Sequence, residues 1–133
     1  MTQVSKFKLD RKIQDTLLKN LLTVISKLNK EDQAKLFLDD LLTRTEKIVL
    51  AKRLAIALML ESGKSYEEIK DLLKVSSSTI GVINNRLNSG SGYKLVINHL
   101  QKMESKSKNS WLFDFINSKS SLKSRNRMLS PLR

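Results

Sequence analysis

Ser77, Ser78, Thr79, Gly81, Asn84, Asn85 and Arg86 are all small or polar, and no carboxylate falls among them. A helix carrying them outward offers hydroxyls and amides that can meet base edges, and small residues that allow close approach, as entry into a major groove requires. The chemistry on offer is binding rather than bond-making. The chain has no cysteine, hence no thiolate nucleophile or ligand, and its one histidine, His99, has no neighbour of its kind for a metal site. It also lacks a glycine-rich phosphate loop and a carboxylate pair in an apolar setting, so neither an enzyme nor a cofactor is expected. The competing reading is a plain helical hairpin of an α-bundle whose serines and asparagines are merely solvated.

Those residues need a frame, and Ser65 to Leu87 (SYEEIKDLLKVSSSTIGVINNRL) supplies one. Ser65 and Glu68 stand at capping-box spacing, which predicts a helix start. Tyr66, Ile69, Leu72 and Leu73 then recur at helical intervals to give one apolar face. Val75 is the apolar residue of a tight turn, and Ser76 is a natural N-cap for a second helix. Ile80, Ile83 and Leu87 form the inner stripe of that helix. The pattern predicts a helix-turn-helix, a unit most familiar as a DNA reader.

Charge points the same way. The 133 residues hold 25 Lys and Arg against 13 Asp and Glu, a formal net charge of +12, which favours an anionic partner such as double-stranded DNA. The length suits one domain with one core. No uncharged apolar run approaches a membrane span, and the N-terminus lacks the apolar centre of a signal peptide, so a soluble, cytoplasmic protein is expected.

In chain order, residues 1–9 read as a flexible basic arm. Asp10 to Asn29 is a long amphipathic helix, with Ile13, Leu17, Leu18, Leu21, Val24, Ile25 and Leu28 on its stripe. A second helix is predicted over Lys30 to Leu42, and TRTE (Thr43 to Glu46) caps a third that runs to about Ser62. The second half of that helix, LAIALML (Leu54 to Leu60), is apolar on every side and needs cover all round. The expected cover is the long N-terminal helix of a twin subunit; a monomer enclosed by its own first two helices is the alternative. Gly63 would end the helix. NSGSG (Asn88 to Gly92) reads as a flexible connection before a closing helix from Tyr93 to Met103. The predicted domain therefore covers 10–104 and is all-α, with about six helices. Residues 105–133 carry seven Lys and Arg against one Asp, and composition predicts a basic, largely disordered tail. Within it, WLFDFI (111–116) is a short apolar segment suited to docking back on the domain.

LTRTEKIVLAKRLAIALMLESGKSYEEIKDLLKVSSSTI (Leu42 to Ile80), followed by NSGSGYKLV (Asn88 to Val96), resembles the tryptophan repressor superfamily. Within it, the similarity is greatest to the tryptophan-repressor-related branch of the YerC/YecD type. The resemblance covers roughly residues 30–103. It implies an intertwined homodimer whose two helix-turn-helix units enter successive major grooves about 34 Å apart, on a pseudo-palindromic operator. On that resemblance Ser77, Ser78 and Thr79 match base-approaching positions, with Ser76 at the start of the same helix. Gly81 permits close approach, and Asn85 faces bases or phosphate. Tyr66, Lys70 and Lys74 are placed for phosphates, and Arg86 adds charge at the far end.

The resemblance also implies an effector pocket between the central and recognition helices, near Thr43 and Arg53. In the repressor proper two arginines clamp tryptophan there. Arg53 matches one, but Val82 stands at the place of the other, so tryptophan is not expected as corepressor and Arg53 is expected to be structural. Lys74 replaces the glycine usual at the turn, at a cost of about 1 kcal/mol where φ is positive. The LT-x-x-E run before a helix-turn-helix also resembles the promoter-recognition region of sigma factors, which would make the chain an interaction module working through a protein partner.

Overall fold

The computed structural model describes residues 8–106. All secondary structure among them is helical: α1 (Arg11–Lys27), α2 (Glu31–Leu41), α3 (Arg44–Glu61), α4 (Tyr66–Leu73), α5 (Ser77–Ser89) and α6 (Gly92–Lys106). Most of the expected basic arm, the expected tail and its 111–116 segment lie outside the described residues. The chain divides into two compact units, one through Val49 and one from Leu50 onward.

In the first unit, α1 starts where Asp10 accepts the backbone N–H of Lys12 at 3.4 Å. It stops within a residue or two of the boundary drawn from the sequence. None of its residues is buried. Ile13, Leu17, Leu18, Leu22 and Ile25 each stand about half exposed or more, so its apolar stripe faces open space. α2 has no side-chain cap, but Glu31 and Asp32 in its first turn sit favourably against the helix dipole. The predicted TRTE box is formed: Thr43 N–H donates to Glu46 Oε1 at 2.9 Å, and Glu46 N–H donates to Thr43 Oγ1 at 3.1 Å. Asp39 accepts from Lys35 at 2.6 Å and from Lys47 at 2.5 Å, joining α2 to the start of α3.

The second unit holds the core. Ile56, Ala57, Leu58 and Met59 of α3 cluster with Ile69 of α4, Ile80, Ile83 and Leu87 of α5, and Ile97 of α6. Ile56, Met59, Ile69 and Ile80 are fully buried, and truncating any one to Ala would cost about 2–5 kcal/mol. Within the apolar half of α3, Ile56 to Met59 are covered by the chain's own α4, α5 and α6, whereas Leu54 stays exposed, as do Ile48, Val49 and Leu50 earlier in the helix.

α3 ends in a Schellman motif. Gly63, at φ 80°, donates to Leu60 O at 3.0 Å, and Lys64 N–H reaches back to Met59 O at 3.0 Å. The predicted connection NSGSG needs correction, because α5 continues through Ser89 and α6 opens at Gly92, leaving only Gly90 and Ser91 between them. Ser89 Oγ donates to Asn85 O at 2.7 Å, an interaction that holds the last turn of α5 in place.

Candidate nucleic-acid interface

α4 and α5 form the helix-turn-helix, and local chemistry fixes both starts. Ser65 Oγ accepts from Glu68 N–H at 3.2 Å, and Glu68 Oε2 accepts from Ser65 N–H at 3.0 Å. α4 closes on Lys74 in the left-handed region, at φ 56° and ψ 54°, with its N–H on Lys70 O at 2.9 Å. That conformation swings the chain from α4 into α5 within three residues. Val75 packs against the core from inside the turn, as its position in the sequence predicts. Ser76 then caps α5 by accepting the N–H of Thr79 at 3.2 Å.

The outward surface contains most of the residues singled out from sequence. Tyr66, Lys70, Lys74, Ser76, Ser77, Ser78, Thr79, Asn85 and Arg86 are exposed, and Gly81 is half-buried. Lys70 lies in the last turn of α4 and Lys74 is its left-handed C-cap. At the N-terminus of α5 the hydroxyls are tied together: Ser76 Oγ lies 3.0 Å from Ser78 Oγ and 2.9 Å from Thr79 Oγ1. A Cβ built at Gly81 would meet no atom within 4 Å, so nothing among the described residues demands a glycine there.

A cavity of about 490 Å³ lies beside this surface, lined by Arg53, Thr79, Val82, Ile83, Arg86 and Tyr93. Arg53 therefore faces a pocket on the reading helix. It is exposed. Thr43 serves as the cap of α3. Arg86, which the sequence puts at the far end of α5 as added charge, also has a place in the cavity wall. Its spacing from Val82, four residues or one turn, was the available signal. No group of residues among those described could hold a metal ion. No helix among them is long and apolar enough to cross a membrane.

A helical chain whose second unit presents an exposed, acid-free recognition helix on a capped helix-turn-helix is a DNA-binding regulator in class. The family model described as "Trp repressor protein" matches residues 16–101. The chain is 31% identical over 97 residues to "Uncharacterized protein YerC" of Bacillus subtilis (strain 168), covering 72% of this chain and 93% of that protein. It is also similar to a solved structure from Staphylococcus aureus described as a "putative Trp repressor". That match has a TM-score of 0.62 and 26% identity, and covers 71% of this chain and 96% of the other. The chain belongs to the Trp repressor family. Membership places it among regulatory DNA-binding proteins rather than enzymes.

Proposed function

We propose that the protein is a sequence-specific transcriptional repressor that acts as a homodimer on a pseudo-palindromic operator, without tryptophan as corepressor. The observation that carries this reading is the outward face of α5, where hydroxyls and amides stand exposed with no carboxylate among them. Ser77, Ser78, Thr79 and Asn85 approach base edges. Tyr66, Lys70, Lys74 and Arg86 hold phosphates, which set position without carrying sequence information.

The exposed stripe of α1 supports the dimer. A helix with seven aliphatic residues from Ile13 to Ile25 and none buried is an unfinished interface, and a second copy of the same stripe is the partner of matching chemistry. Two-fold symmetry of the protein then requires two-fold symmetry of the operator.

Val82 argues against tryptophan. On the resemblance it stands at the place of the second clamping arginine, and it gives the cavity an aliphatic wall there.

Selection of bound duplexes from a random pool, joined with sedimentation of the free protein, tests the whole reading. A dimer that enriches inverted half-sites is the expected result. A monomer that enriches nothing alone and needs a protein partner would overturn it. Calorimetric titration with L-tryptophan should show no micromolar binding.

A further inference from the structure

Val82 is out of character on α5. It is 63% exposed, an apolar side chain on a surface otherwise made of hydroxyls, amides and one guanidinium. Ile80, Ile83 and Leu87 are buried and fix the inward direction of the helix. At about 100° per residue, Ser78, Val82 and Asn85 (i, i+4, i+7) form a stripe on the opposite side. Ser78 and Asn85 are exposed there too. A β-branched residue in a helix has one dominant rotamer, so the two methyls of Val82 point in a set direction before any partner arrives. Gly81 beside it has no Cβ, which lowers the surface and lets Val82 stand proud.

The major groove displays one apolar group, the C5 methyl of thymine. We propose that Val82 is a specificity-determining residue that packs against a thymine methyl in each half-site, while Ser78 and Asn85 meet the neighbouring polar edges. This rests on the DNA reading proposed above. A side chain that served only as a wall of the cavity would leave the thymine methyl unread, and the two roles separate cleanly by experiment.

The full chain is used to select its duplex, and each thymidine is then replaced in turn by deoxyuridine, which removes only the methyl. Competition gel shifts compare the native protein with Val82→Ser and Val82→Thr. The native protein should lose about fourfold per half-site at one thymine, the factor a buried methyl is worth. Val82→Ser should bind thymine and uracil duplexes equally there, and Val82→Thr, which keeps one methyl, should fall between. Val82 lies outside the buried cluster, so circular dichroism should show both variants folded. Uracil scans identical for the native protein and Val82→Ser would overturn the role of Val82 alone. A chain that selects no duplex overturns the DNA reading itself, and this inference with it.

Discussion

Ser76 and Thr79 are joined twice: Ser76 Oγ accepts the backbone N–H of Thr79 at 3.2 Å and lies 2.9 Å from its hydroxyl. The cap of α5 and Thr79, proposed to approach base edges, are thus one unit. Ser76 has a single proton to give, and Ser78 Oγ stands at 3.0 Å as a second claimant. Ser76→Ala should remove about 1 kcal/mol of stability, as loss of a cap does, measured by urea unfolding. It should also loosen discrimination among duplexes, because the Thr79 hydroxyl loses its fixed neighbour.

Lys70 and Thr79 should fail in different ways. Replacing Lys70 by Ala should remove one proposed phosphate partner, weaken all duplexes alike, and lower the slope of log K against log salt by about one. Replacing Thr79 by Ala should leave that slope in place and narrow the gap between operator and random DNA. Identical salt titrations of the two variants would show that this division of labour is wrong.

Lys74 stands in the left-handed region at φ 56°, where a side chain is strained. Lys74→Gly should raise stability by about 0.5–1 kcal/mol. DNA affinity should fall nonetheless, since the ammonium proposed to meet a phosphate is gone. Thermal unfolding and gel shifts on the same sample read both effects, and a parallel change in the two would refute the assignment.

Gly81 gives the reverse test. An added methyl meets nothing within 4 Å, so Gly81→Ala should stabilise α5 by about 0.5–1 kcal/mol through helix propensity. If the backbone approaches DNA closely at this point, affinity should drop while the free protein grows more stable.

Asp39 links pH to the first unit. Hydrogen bonds from Lys35 and then Lys47 lower its pKa from 3.8 to about 2. A depressed carboxyl pKa adds stability that is full above about pH 4 and is lost as pH falls through about 2. Carbon-detected NMR titration should place the midpoint near 2, and Lys47→Met should move it up towards the ordinary value. Asp39→Asn should remove this part of the acid dependence. Glu46 is lowered as well, by the backbone N–H and hydroxyl of Thr43.

Sequence spoke most clearly where local chemistry decides the outcome. The Thr43–Glu46 and Ser65–Glu68 boxes, the Gly63 stop and the Ser76 cap each need only residues within a few positions, and each is formed. What depends on distant packing was harder to read. The cover over Ile56 to Met59 comes from helices that follow it in the chain, and periodicity carries no information about partners. NSGSG looked flexible because Gly and Ser dominate it, but Ser89 finds Asn85 O and prolongs the helix. Arg86 lines the cavity, a place that its reading as added charge at the far end of the helix does not bring out.

The bare stripe of α1 has a bearing on cellular economy. If a second copy covers it, folding and association are a single event, and stability climbs with the logarithm of abundance. Scarce chains would be the first lost to proteolysis, while plentiful ones shelter each other. Graded synthesis would then emerge as a threshold in occupancy of the target promoter, set by the aliphatic residues of α1.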